Sequence, residues 1–197
     1  VMLSQGTLTT TTALAIAGKC AQITTGFVYN DDKTAVEIKN HRIAAMLDVI
    51  EDGDGKFIIW CPFLHNVKMV RAALAEKYGH ESVVTYEGAT SLEDRDDAVF
   101  RLQNVDSCRF FVCTEAASRG LTLTAACNAI YYGNKSKLEA RLQSEDRCHR
   151  IGQKYPVTYT DLVIQDTVDE RVLALLRNKG ELASVLTENI KRFADFI

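Results

Sequence analysis

Three short apolar runs, at residues 57–61, 109–114 and 129–132, constrain this chain more than any other feature. Each is too short for a buried helix and shows no polar alternation, so each reads as a strand covered on both faces. Two further strands are expected at 82–86 and 157–164. Helical signals fall in the gaps. Residues 64–78 form one such stretch, and Ser91 with Asp94 three residues on makes a capping box that opens a helix to about Asn104. Ile43, Met46, Leu47 and Ile50, at i, i+3, i+4 and i+7, predict an amphipathic helix over 35–52. The Thr-rich first 26 residues fit neither period well and are expected to be partly helical, while Thr167 opens a helical tail broken at Gly180. Strands alternating with helices of this length give an α/β fold, a doubly wound parallel sheet of about five to six strands flanked by helices. In such a sheet ligands bind at the carboxyl ends of the strands. The expected divisions are a lead-in segment over 1–34, the α/β domain over 35–166 and a helical tail over 167–197.

Residues 143–153, QSEDRCHRIGQ, carry the densest chemistry. Ser136 with Glu139 fits a capping box, and Gly152 and Pro156 supply a stop, which predicts a helix over about 137–151. On it Gln143, Arg147 and Arg150 stand at i, i+4 and i+7, within about 40° of one another at 100° per residue. Two neighbouring guanidiniums repel unless an anion lies between them, and their planar forks suit a phosphate group. The competing reading is two surface ion pairs, Arg141 with Glu145 and Asp146 with Arg150, each worth a few tenths of a kcal/mol. The helix alone does not choose between the two.

Composition narrows the field. The 197 residues carry a net charge of −3, so contact with a nucleic acid must come from local donors and not from a bulk basic field. The six cysteines contain no CxxC pair; they read as small buried hydrophobes of a reducing, intracellular compartment, and Cys148-His149 finds no further ligands at zinc spacing. Asp52-Gly53-Asp54-Gly55 is broken as a calcium loop by Lys56 and reads as a turn. No apolar run is long enough to span a membrane, and no membrane partner or metal site is expected. The start at Val1-Met2, within a segment that looks helical, is what a fragment would show.

Gln143, Arg147 and Arg150 followed by Ile-Gly-Gln resemble the last motif of superfamily-two helicases in its Swi/Snf-family form. The resemblance covers roughly residues 20–180 and implies a RecA-like C-terminal lobe, in which the two arginines reach ATP phosphates and Arg150 is an arginine finger. Residues 114–123, TEAASRGLTL, resemble the fifth motif, which places Thr114 and Ser118 on the DNA backbone and Arg119, Gly120 and Leu121 near the nucleotide. Here Ala117-Ser118 replaces the usual double glycine, and Ser136-Lys137-Leu138 stands where Trp-Asn-Pro is usual. Residues 56–63 resemble the fourth motif, whose exit could turn His65 and Asn66 to DNA. Residues 86–90 followed by Arg95 resemble a strand-Gly-Thr-Arg element, with Arg95 meeting a phosphate or pairing with Asp94 or Glu93.

The resemblance further implies ATP and Mg2+ in an intact enzyme, held by an N-terminal RecA-like lobe that this chain lacks, with DNA as the other partner. No phosphate loop is present, since Gly18-Lys19 is followed by Cys20 and preceded by no glycine at the required spacing. The chain alone is therefore expected to hold no nucleotide tightly and to be inactive. Asp169-Glu170 reads as surface and capping chemistry and not as a magnesium box. Two alternatives stay open. One is a non-catalytic RecA-like module that binds a partner or a nucleic acid. The other is a doubly wound enzyme for a phosphorylated metabolite, disfavoured because no glycine-rich loop follows the first strand.

Overall fold

The computed structural model describes residues 2–3, 6–7, 12–88, 90–118, 120–135 and 137–179. The chain begins with β1 (Met2–Leu3), β2 (Gly6–Thr7), α1 (Ala13–Thr24), β3 (Phe27–Tyr29), β4 (Ala35–Glu37) and α2 (Arg42–Glu51). It continues through β5 (Lys56–Trp60), α3 (Leu64–Tyr78), β6 (Val83–Tyr86), α4 (Leu92–Asn104), β7 (Phe110–Cys113), β8 (Ala126–Tyr131), α5 (Leu138–Cys148) and β9 (Thr158–Asp161). Residues 168–179 form a further helix, α6.

The apolar runs become the centre of a five-stranded, wholly parallel sheet in the order β6-β7-β5-β8-β9. Alternate side chains of each strand supply one of two cores. Phe57 and Ile59 face α2 and α3, packing with Met46, Ile50, Val67, Val70 and Leu74. Ile58 and Trp60 face the other way, toward Ala98 and Leu102 of α4 and Cys148 of α5. An unbroken apolar strand is stable only when both faces are covered in this way, each large side chain contributing about 1.5–3 kcal/mol on burial.

Helix α4 starts as its capping box requires, with Ser91 Oγ accepting from Asp94 N at 3.2 Å. The helix expected over 35–52 starts only at Arg42, because residues 35–37 pair antiparallel with β3 as a hairpin. Asn30 closes that hairpin by accepting from Thr34 N at 2.8 Å, and Lys33 takes a positive φ of 61°. Val36 faces Val28 across it, so a β-branched residue inside an apparently helical pattern found a strand partner instead. The Gly180 break lies outside the described residues.

One buried residue ties the ends of the chain to the middle. Arg42 donates to Thr24 O at 2.9 Å, Tyr132 O at 2.5 Å and Leu162 O at 2.8 Å, and pairs with Asp169 Oδ2. Asp169 also accepts from Thr24 Oγ1 at 2.9 Å and from Ile164 N at 3.2 Å. Asp169 is therefore the partner of a buried cation, which corrects its reading as surface chemistry, while Glu170 is exposed and Thr167 Oγ1 accepts from Asp169 N at 3.3 Å as the capping reading expects. Among the described residues no helix is long and apolar enough to cross a membrane.

Candidate functional site

Helix α5 runs back along the sheet from the carboxyl end of β8, held there by Tyr131 Oη and Ser144 Oγ at 2.7 Å. It is shorter than its sequence suggested. Its N-cap is Lys137, which makes no side-chain cap; Glu139 accepts from Gln143 Nε2 at 2.9 Å instead of capping, and Ser136 lies outside the described residues. It ends at Cys148, so Arg150 stands in the turn beyond it, where Gly152 takes a φ of 104°.

The two arginines nevertheless meet. Arg147 Nη1 donates to Leu121 O at 3.1 Å while its Nε is held by Gln143 O at 2.9 Å. Arg150 Nη1 reaches the same Leu121 O at 3.4 Å and Thr122 Oγ1 at 2.9 Å. The backbone joins the same segments, Leu123 N donating to Arg147 O at 3.0 Å. Neither arginine has a carboxylate partner among the described residues. Of the two surface pairs weighed against an anion site, Arg141 with Glu145 forms at 2.6 Å and Asp146 with Arg150 does not.

Arg147 and Arg150 therefore meet as their spacing suggested, but for a partly different reason. Residues past a helix end do not keep its period; the 121–122 carbonyl and hydroxyl gather the guanidiniums. Gly120, at φ 74° and exposed, starts this loop in a conformation that favours glycine. Arg119 and the side chain of Ser118 lie outside the described residues.

This cluster adjoins the amino end of β8, not the carboxyl edge of the sheet where a ligand was expected. Residues 121–125 lead directly into Ala126, and Gln153 Nε2 donates to Ala126 O at 2.9 Å and to Cys148 O at 3.2 Å. Gln153 Oε1 accepts from Lys154 N and Tyr155 N, at 2.9 and 3.1 Å, so this glutamine stitches the turn after Arg150 to the sheet. In the sequence it stands out only as the last residue of the Ile-Gly-Gln run.

The residues expected at DNA lie at the opposite, carboxyl edge. Thr114 follows β7, and its N–H donates to Tyr86 O at 3.4 Å. Arg95 lies over the Tyr86 ring, 5.3 Å from its centroid, and donates to Glu87 O at 3.2 Å and to Gly88 O, making neither of the carboxylate pairs considered for it. His65 is turned to the hairpin, 4.7 Å from the Phe27 ring and 3.6 Å from Glu37 Oε1. Asn66 is fully buried, its amide donating to Thr25 O at 3.0 Å, and so faces the core and not DNA. An asparagine one turn into a helix gives no sequence sign of which carbonyl lies beneath it.

A cleft at this edge, where neighbouring strands β5 and β8 connect in opposite directions, is lined by Trp60, Pro62, Glu115, Asn134, Lys135 and Arg141 among others. Arg141 is fully engaged there. Its guanidinium lies 3.4 Å from the Tyr131 ring centroid and donates to Asp161 Oδ1 at 2.5 Å, Asp161 Oδ2 at 3.2 Å and Asn134 Oδ1 at 2.9 Å. Burial drives the Tyr131 phenol above its ordinary range and pushes the Cys148 thiol up to about 12, so both are neutral at physiological pH. No three His, Cys, Asp or Glu side chains gather to hold a metal among the described residues.

Residues 39–152 match the helicase conserved C-terminal domain. A Caenorhabditis elegans protein, the SWI/SNF-related matrix-associated actin-dependent regulator of chromatin subfamily A containing DEAD/H box 1 homolog, is 29% identical over 171 residues, 85% of this chain and 17% of its own length. The chain thus spans under a fifth of that relative. The Sulfolobus solfataricus SWI2/SNF2 ATPase core, solved in complex with dsDNA, matches at a TM-score of 0.58 and 27% identity, covering 72% of this chain and 30% of that one. The C-terminal part of the Fun30 ATPase domain shares the fold at a TM-score of 0.64 and 22% identity, over 70% of this chain and 46% of its own.

Proposed function

This chain belongs to the helicase conserved C-terminal domain family, as a RecA-like lobe of Swi/Snf type, and we propose that within a longer two-lobe ATPase it supplies the arginines that act on ATP while its carboxyl edge follows a DNA backbone. The observation that carries this reading is the meeting of Arg147 and Arg150 at Leu121 O with no carboxylate among the described residues to neutralise either. The donor set fits a phosphate. It does not fit Mg2+, which the reading assigns to the other lobe together with the phosphate loop.

ATP bound in that lobe would present a γ-phosphoryl group whose oxygens gain negative charge during hydrolysis. Arg147 is held at Nε and Nη1, which leaves its Nη2 without a partner among the described residues and aims the fork without exhausting it. Arg150, exposed and held among the described residues only through Nη1, is the donor with more of its fork free, suited to meet charge that develops late. Gln143 contributes its backbone carbonyl to Arg147 and spends its side chain on Glu139. Thr114 just past β7, Arg95 in the first turn of α4 over the Tyr86 ring, and Ser118 are the DNA-backbone candidates. The compartment is the reducing, intracellular one that a translocase on DNA requires.

The test is Arg150→Ala in the full-length enzyme. Stability should change by under about 1 kcal/mol, because an exposed arginine loses only surface contacts. ATP turnover should fall at least about a hundredfold with nucleotide affinity less affected, since a finger acts on the transition state. Arg150→Lys should fail nearly as badly, lacking the planar fork. Normal turnover accompanied by a melting loss of several degrees would make the arginines structural and end this reading.

A further inference from the structure

Gln103, near the end of α4, uses both ends of its amide on one loop. Nε2 donates to Thr122 O at 2.6 Å and Oε1 accepts from Ala125 N at 3.1 Å. The other side of that loop receives the arginines, with Leu121 O accepting from both and Thr122 Oγ1 from Arg150. The loop lies between β7 and β8; among the described residues its other backbone tethers are Leu123 N to Arg147 O and Ala126 N to Leu123 O. Gln103 thus fixes the segment that sets where both guanidiniums point.

We propose that Gln103 is a positioning residue for the Arg147–Arg150 pair, acting through residues 121–125. This rests on the reading of the pair as the phosphate-facing site. A guanidinium is directed by its acceptors, and a displacement of about 1 Å in a catalytic donor is enough to cost a large factor in rate. With Gln103 removed, Thr122 O and Ala125 N–H lose their partners and the acceptors of both arginines are free to drift. Gln103→Glu retains an acceptor for Ala125 N–H but sets a carboxylate oxygen against the Thr122 carbonyl, so it should behave like Gln103→Ala and not like the parent.

Two measurements test this. In the 197-residue chain, amide hydrogen exchange at Ala125 should quicken at least about tenfold in Gln103→Ala, while the centre of β5 is unaffected. In the full-length two-lobe enzyme, Gln103→Ala should lower kcat about tenfold with KM for ATP changed less than about twofold. Adding Gln103→Ala to a variant that already carries Arg147→Ala and Arg150→Ala should slow it no further, because the glutamine acts through that pair. A general loss of packing would instead multiply the two effects. Unchanged exchange at Ala125 overturns the clamp and leaves the arginine reading standing, as do multiplying losses or a parental kcat in Gln103→Ala. Normal turnover in Arg150→Ala removes the arginine reading, and the positioning role falls with it.

Discussion

The thiols show how far burial alone decides a residue's chemistry. Cys61, Cys108, Cys113 and Cys148 are buried, and desolvation raises the pKa of each, that of Cys148 to about 12. Cys20 and Cys127 are only partly covered. In the folded chain at pH 8, iodoacetamide should therefore modify Cys20 and Cys127 and spare the other four, as peptide mass mapping would show. An alkaline limit follows as well. A thiol near 8.5 when unfolded and near 12 when folded contributes its full stability below about pH 8.5 and loses it as pH rises toward 12. The denaturation midpoint should fall between pH 8.5 and 11, and less steeply in Cys148→Ala. Equal slopes for the two proteins would show that Cys148 is not a source of the loss.

At the level of elements, α5 is held by Arg141 more than by its caps. Its N-cap Lys137 makes no side-chain cap, yet the guanidinium joins the helix to β8 through Tyr131, to β9 through Asp161 and to Glu145 one turn on. Arg141→Ala should cost about 2–4 kcal/mol, because it strands a largely buried Asp161 carboxylate. In a chain of this size that lowers Tm by roughly 5–15 °C in a thermal melt. A loss under about 2 °C would mean that the network is ornamental. No local pattern warns of this weight, since Arg141 and Glu145 read as one more surface pair. Strands β5, β6 and β7 and helices α3 and α4 were legible because local signals, unbroken apolar runs and a capping box, coincide there with what the tertiary structure needs. The β3–β4 hairpin was not, because two three-residue strands leave no period to read and residues 35–37 continue a pattern that suits a helix. The arginine pair was legible from spacing, whereas its location at the amino end of β8 depends on the path of residues 115–125, which no local pattern encodes.

For the molecule as a whole, the two candidate edges are served by one continuous stretch. It leaves β7 at Thr114 on the carboxyl edge and arrives at Leu121 and Thr122 beside the arginines on the amino edge. The sheet between them is buried on both faces, so the edges are joined by a stiff body as well as by that stretch.

Arg42 sets a limit on where this molecule can be cut. Its acceptors come from the end of α1, the end of β8, the strand exit at Leu162 and the start of α6. A clone trimmed to 35–166, the span that the helix and strand pattern marks out, would delete Thr24 and Asp169 and leave a cation in the interior without its carboxylate. Uncompensated burial of that kind costs about 3–5 kcal/mol, a large share of what a domain of this size has to spare. Expressed side by side, the 35–166 fragment should be insoluble or melt at least about 10 °C below a 12–179 fragment, and equal melting would show that the lead-in and tail are dispensable. The smallest autonomously folding unit is thus set by a single guanidinium.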